Sequence, residues 1–269
     1  MRDTIVQITD MHVVERGELL LGQIDTAGFL QQAVIQIESL DPAPSLVIAT
    51  GDLVNDGLPE QYEHLAALLE PLAGRLLLLP GNHDRLDAMW STMPAELLAP
   101  PDLRRRPGGA DGVLDRGIRV IALDSSRPPN PGGWIAPEQL DWLDDELAAQ
   151  PSVRTVIAVH HPPFLTGIDH MDAMGMDSHD ATAFEAVVAR HPQVGFVACG
   201  HLHRRITRRW ANATAFTTPS VAHGVAFDLS GGPATWTFDP PAFSVVLAEP
   251  QRPLVEHLVH VGSFPGGPF

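Results

Sequence analysis

Six times between residues 4 and 203 the chain gathers a short apolar run and stops it abruptly on polar residues. The runs are TIVQITDMH (4–12), SLVIATGD (45–52), RLLLLPGNHD (75–84), RVIALDSS (119–126), TVIAVHHPP (155–163) and VGFVACGHLH (194–203). Continuous apolar runs of this length suit strands buried on both faces. Between them lie stretches with a helical apolar repeat, and these predict helices over Ala27–Leu40, Glu60–Leu72, Pro137–Ala149 and Asp180–Arg190. Pro137 fits a first helical turn, with Glu138 and Asp141 close to the positive end of the helix dipole. Strand–helix alternation predicts βαβ units and a largely parallel sheet covered by helices.

The last third reads differently. TAFTTPS, GVAFDLS, ATWTFDP, FSVVLAEP and PLVEHLVHV are short strand-like runs separated by Gly and Pro, in the manner of antiparallel hairpins. The tail GSFPGGPF is too rich in Gly and Pro for regular structure, and its two phenylalanines are expected to pack on a neighbouring element. We expect one α+β domain over residues 1–269, with a core over about 1–225 and a β-rich C-terminal section over about 226–269.

Composition excludes several classes. The formal charge is −16, and all 17 basic residues are arginine. So acidic a chain is not built to wrap a nucleic acid polymer, which is bound through clustered cations that release counterions. The local exception, HRRITRRW (203–210), is read as a solvated face. One cysteine, Cys199, leaves no internal disulfide and reads as a small core residue. Residues 1–9 already read as a strand, and no apolar run approaches the roughly 18 residues of a membrane span. A soluble cytoplasmic protein with no membrane partner is the expectation.

Five of the six runs end on residues that bind metals: Asp10 with His12, Asp52, Asn82, His160, and His201 with His203. In open α/β sheets, ligands gather outside the carboxyl ends of the strands. The Asp-x-His and His-x-His spacings are expected to put both side chains on one side of an extended segment. Gly51, Gly81 and Gly200 each precede a candidate ligand, where tight turns and close backbone approach favour glycine. Two Asp, one Asn and four His suit Mn, Fe, Co or Zn rather than a soft-metal site. Seven ligands are too many for one open catalytic ion, but they suit two ions sharing a carboxylate about 3.5–4 Å apart.

The order Asp-x-His, Gly-Asp, Gly-Asn-His-Asp, His, Gly-His-x-His resembles the calcineurin-like metallophosphoesterase family. The stretches ITDMH, GELLLGQIDT, GDLVNDGLPEQYEHL, LPGNHDR, LDSS, HHPP and CGHLH further resemble its class III cyclic-nucleotide and glycerophosphodiester phosphodiesterase branch, over about residues 1–225. The resemblance implies a four-layer αββα sandwich of two mixed β-sheets flanked by helices, with C-terminal β-hairpins that serve a homo-oligomer. It implies that Asp10, His12 and His203 hold one ion, that Asn82, His160 and His201 hold the second, and that Asp52 bridges. His83 would be the catalytic histidine, donating to the phosphate or leaving oxygen, with Asp84 orienting it. TTPSVAHG resembles the glycerophosphodiesterase side and would bring His223 near the metals.

The implied reaction is hydrolysis of a small phosphodiester, a 3′,5′-cyclic nucleotide or a glycerophosphodiester, by attack of a metal-bound hydroxide. A phosphomonoesterase or nucleotidase of the same fold is the alternative. A scaffold without activity is opposed by the intact ligand set. His161 reads equally as a support for the ligands or as a ligand itself. Asn55 reads as a turn residue, with support of the site as the alternative, and Asp124 as a cap or a support as readily as a catalytic group. His64, His191, His257 and His260 read as structural. His170 and His179 flank a Met- and Asp-rich loop that either roofs the site or lies on the surface.

Overall fold

The computed structural model describes residues 3–106, 108–114, 117–249 and 252–267; Phe269 of the tail lies outside them. The first half runs β1 (Asp3–Ile8), α1 (Thr26–Glu38), β2 (Leu46–Thr50), α2 (Pro59–Leu69), β3 (Leu76–Leu79), α3 (Leu86–Thr92) and α4 (Ala95–Leu98). It is followed by β4 (Arg104–Arg106), β5 (Gly109–Val113), β6 (Arg119–Leu123), α5 (Pro137–Ala149), β7 (Thr155–Val159), α6 (Asp169–Asp172), α7 (Ser178–Ala189) and β8 (Val194–Cys199). The remainder is all strand: β9 (Ile206–Trp210), β10 (Ala213–Thr217), β11 (Gly224–Val225), β12 (Trp236–Thr237), β13 (Ala242–Ala248) and β14 (Val255–His260). The helices start where local chemistry favours it. Asp25 caps α1 by accepting from Gly28 N, Asp177 caps α7 by accepting from His179 N, and Pro59 and Pro137 occupy the first turns of α2 and α5.

The six apolar runs are all strands, but they divide between two sheets. One has the order β14-β13-β1-β2-β3 and the other β4-β5-β6-β7-β8-β10-β9. β1, β2 and β3 are mutually parallel, and β13 joins β1 antiparallel with Asp3 opposite Ala248. In the second sheet β6, β7, β8 and β10 are parallel, with antiparallel strands at both edges. Strand–helix alternation alone suggests one largely parallel sheet; the two mixed sheets observed are those that the family resemblance implies. A run buried on both faces records only that something covers each face, not whether that cover is a helix or a second sheet.

Alternation along the strands separates the layers. Val6, Val47, Ala49, Leu76 and Leu78 pack against Leu30, Val34 and Ile37 of α1 and Tyr62, Leu65 and Leu69 of α2. Their neighbours Ile5, Leu46, Ile48, Leu77 and Leu79 face the other way, onto Val120, Ala122, Val156, Ala158 and Phe216 of the second sheet. Ile121, Leu123, Ile157 and Val159 then meet Leu140, Leu143 and Leu147 of α5 and Phe184 and Val188 of α7. Helix, sheet, sheet and helix stack in that order. Between the sheets a polar cluster lies among apolar side chains. Gln7 Nε2 donates to Thr50 Oγ1 at 2.8 Å and Cys199 O at 2.9 Å, and Thr218 Oγ1 donates to Gln7 Oε1 at 2.7 Å.

Two further expectations change. The arginine-rich stretch 204–209 is not only a solvated face: β9 runs through it as an edge strand, with Arg208 and Arg209 exposed. The core also extends past residue 225, because β13 lies inside the first sheet between β14 and β1. No helix among the described residues is long and apolar enough to cross a membrane.

Candidate metal centre

The loops that follow β1, β2, β3, β7 and β8 carry the seven predicted ligands, and the structure brings all seven together where the two sheets meet. Strand alternation is not how they get there, which corrects the sequence argument. β1 ends at Ile8 and β8 at Cys199, and the ligands beyond them sit in left-handed turns: Asp10 at φ 53°, His12 at 44°, Asp52 at 49°, His201 at 70° and His203 at 50°. Each such residue costs on the order of 1–2 kcal/mol against an ordinary conformation. The backbone is held there by its neighbours. Asp10 N donates to Gly51 O and His12 N to Asp52 O, both at 3.0 Å, and Ser220 Oγ donates to Asp10 O at 2.7 Å. Gly200 and Gly81 permit the close approach, because a Cβ would lie 2.1 Å from Thr9 Oγ1 at the first and 2.3 Å from Asp52 N at the second.

The donor atoms form two adjoining groups. Asp10, His12, Asp52 and His203 offer ligand atoms that all lie within 4.8 Å of one another. His12 Nε2 lies 3.1 Å from His203 Nε2, His203 Nε2 lies 3.5 Å from Asp10 Oδ1, and His12 Nε2 lies 3.6 Å from Asp52 Oδ2. In the second group Asn82 Oδ1 sits 3.1 Å from both His160 Nε2 and His201 Nδ1. Asp52 Oδ1 is 3.5 Å from His160 Nε2. Asp52 thus turns one carboxylate oxygen to each group.

The electrostatics match. Burial drives His12 and His201 down to about 3 and His203 well below its ordinary value, with neighbouring imidazoles adding to the effect. Neutral rings with converging nitrogen lone pairs, such as His12 and His203, are arranged for a cation. His160 is the exception: burial opposes its charge, but Asp52 beside it lifts it to about 9. Burial works against the Asp52 charge too, and His160 more than offsets that, holding the carboxyl well below the usual range. Burial raises Asp10 to about 7. Backbone carbonyls aim two of the rings, with His160 Nδ1 on Thr50 O at 2.7 Å and His203 Nδ1 on His223 O at 3.0 Å. Oxygen and imidazole donors in two groups around one shared carboxylate fit a pair of first-row cations.

The remaining candidates sort by contact. His83 stands exposed at the mouth, 4.6 Å edge-on from the His12 ring. Its Nδ1 meets Asn55 O at 2.7 Å, and its backbone N–H donates to Asp52 Oδ1 at 2.9 Å. Asp84 does not orient it, which corrects that expectation. The Asp84 carboxylate is turned inward and accepts from Gly81 N at 2.8 Å, Leu53 N at 3.1 Å and Tyr62 Oη at 3.0 Å. The main-chain carbonyl of Asn55 takes the orienting place, a group that no residue letter announces.

His223 lies near the ions' place, with its ring 4.6 Å from that of His203 and 5.5 Å from that of His12. His161 offers a ligand atom within 4.8 Å of those of His160 and His201, while its Nδ1 meets Ser125 Oγ at 2.8 Å and its Nε2 meets Pro131 O at 3.0 Å. Asp124 caps its own turn, accepting from Ser126 N and Oγ. The Met-rich loop packs inward through Met171, against Ile168 and Leu202. A cleft of about 740 Å³ opens beside Asn82 and His83, walled by Asn55, Asp56, Arg85, Asp87, Pro128 and Pro129.

Comparison with known proteins agrees with this geometry. Residues 3–205 match the calcineurin-like phosphoesterase family. A probable glycerophosphodiester phosphodiesterase from Arcobacter nitrofigilis is 29% identical over 263 residues, which cover 97% of this chain and 94% of that protein. A probable cyclic nucleotide phosphodiesterase from Rhodopseudomonas palustris is 32% identical over 256 residues, covering 92% and 89%. Among solved structures, a dimetal phosphatase from Danio rerio shares the fold at a TM-score of 0.61 and 15% identity, covering 97% of this chain and 99% of that one. With the candidate ligands in order where its two sheets meet, the chain belongs to the calcineurin-like phosphoesterase family of hydrolases.

Proposed function

We propose that this protein hydrolyses small phosphodiesters at a dinuclear centre, with glycerophosphodiesters as the preferred class. The observation that carries the reading is Asp52, whose two oxygens face His12 at 3.6 Å and His160 at 3.5 Å. Asp10, His12, Asp52 and His203 would hold one ion, and Asp52, Asn82, His160 and His201 the other. When bound, the ions neutralise the phosphate and lower the pKa of coordinated water. The donor set suits Mn, Fe, Zn or Co. The chain's own part is positional and protic. Because Asn55 O binds His83 Nδ1, Nε2 is the nitrogen that passes a proton to the departing alkoxide, and its exposed position lets it reload from solvent.

The cleft supports the substrate class. It offers the carboxylates of Asp56 and Asp87, the amide of Asn55 and two prolines, and no Phe, Tyr or Trp among the described residues lines it. A small polyol or cationic alcohol suits such walls better than a base that needs a stacking plate. The two carboxylates against the single guanidinium of Arg85 also disfavour the dianion of a phosphomonoester. A cytoplasmic homo-oligomer belongs to the same reading. A lone buried cysteine and the exposed Phe227, Leu229 and Phe238 around the β11–β12 hairpin support it.

The test is a panel of glycerophosphocholine, 3′,5′-cyclic AMP, a bis-aryl phosphodiester and an aryl phosphomonoester, on protein stripped of metal and reloaded with manganese. Glycerophosphocholine should turn over fastest of the two natural diesters, and Asn82→Ala should abolish the activity. Preference for the monoester would sink the diesterase reading, and preference for cyclic AMP would sink the substrate class.

A further inference from the structure

Three polar side chains on the first turns of α2 take no part in holding ions, yet all are buried: Gln61 and Tyr62 at 0% exposure and His64 at 7%. Between them they grip three loops of the site. Tyr62 Oη donates to Asp84 Oδ1 at 3.0 Å and accepts from Arg85 N at 3.0 Å, so it holds the loop after β3. Gln61 Oε1 accepts from Asp56 N at 2.8 Å, and Nε2 donates to Asp56 Oδ2 at 2.9 Å and Glu15 Oε2 at 3.2 Å, so it holds the loop after β2. His64 Nδ1 meets Val14 O at 2.8 Å in the loop after β1. A helix keeps such neighbours at fixed spacing, so the three loops share one rigid reference.

We propose that Gln61 and Tyr62 are positioning residues for His83. The imidazole has two points of support. Its backbone lies in the turn that Tyr62 secures through the Asp84 carboxylate, which holds Gly81 N before the ring, and through Arg85 N after it. Its Nδ1 is bound by Asn55 O, one residue before the Asp56 that Gln61 grips at both the amide and the carboxylate. Adjacent residues of one helical turn therefore fix both the ring's origin and the acceptor that selects its tautomer. Nε2 is left as the working nitrogen. The role rests on the reading of His83 as the group that protonates the departing alkoxide.

The experiment uses Tyr62→Phe and Gln61→Met, each close in volume to the residue it replaces, with His83→Ala alongside. In the metal-free protein, long-range proton–nitrogen spectra report the His83 tautomer. The wild type should hold the proton on Nδ1, and both variants should shift toward a mixture. In the manganese-loaded protein, kcat on glycerophosphocholine should fall between about 10- and 100-fold, as for a misplaced catalytic group. Turnover of a bis(4-nitrophenyl) diester, whose phenolate leaves without a proton, should change less than about 2-fold, with KM steady on both. An unaltered tautomer, or an equal loss on both diesters while His83→Ala discriminates between them, overturns the positioning role. If His83→Ala treats both diesters alike, the reading of His83 fails instead, and the spectra alone decide the positioning claim. Should one variant fail to fold, the other carries the same test.

Discussion

Loading the centre with ions should expel protons, and at pH 6, below the range where coordinated water ionises, two side chains should set the amount. In the metal-free protein Asp10 is raised to about 7 and His160 to about 9, while His12 and His201, at about 3, are already neutral. Asp10 and His160 lie above their unfolded values. Each bound proton therefore stabilises the metal-free fold at low pH, and that contribution is lost as pH rises through about 7 for Asp10 and about 9 for His160. An ion must displace the same proton. Simple titration of these two groups gives about 1.9 protons released at pH 6 when both places fill and about 1.0 at pH 8, where ionisation of coordinated water adds to the count. Affinity should rise over those two units by about 90-fold on the His160 side and about 10-fold on the Asp10 side. Calorimetric titration with manganese, in buffers of matched pH and different ionisation enthalpy, counts the protons directly. Release of less than about 0.3 proton at pH 6 would refute the argument, because it would mean that His160 is neutral and Asp10 ionised before the ions arrive.

Two further substitutions test the packing around the site and far from it. Gly200→Ala puts a methyl 2.1 Å from Thr9 Oγ1 and 3.0 Å from Asp10 Oδ2; we expect a loss of about 1–3 kcal/mol in chemical denaturation and fewer than two ions bound by elemental analysis. Arg119→Met removes a fully buried guanidinium that pairs with Asp111 at 3.0 Å and with Glu146, leaving a buried carboxylate to the more exposed Arg104 and Arg106; it should cost about 3 kcal/mol and leave kcat unchanged.

What the residues disclose and what they conceal divides along a physical line. The apolar runs announce β1, β2, β3, β6, β7 and β8, because burial on both faces demands continuous hydrophobicity. The ligands are visible as side chains at the ends of those runs. β4 and β9 are hidden, because an edge strand needs hydrogen-bonding partners more than an apolar face, and Arg104 to Arg106 and Arg208 to Arg209 read as surface. The orienting carbonyls of Thr50, Asn55 and His223 are equally hidden, since every residue carries one. Asp84 sits beside His83 in the chain and suggests a pair. The turn sends the two side chains apart, and only the fold reveals that the carboxylate gathers amides instead.

The left-handed turns at Asp10, His12, Asp52, His201 and His203 bear on how such a protein could drift. Aspartate and asparagine tolerate that conformation better than most residues, and glycine adopts it freely. Histidine is kept there at a cost that only its nitrogen justifies. A descendant released from binding ions would shed that backbone cost by exchanging His12, His201 and His203 for glycine or asparagine, and the loops would keep their shape while the chemistry disappeared. Loss of function at this centre should therefore leave a recognisable trace: the turns preserved, and the imidazoles replaced by the residues that the backbone alone would choose.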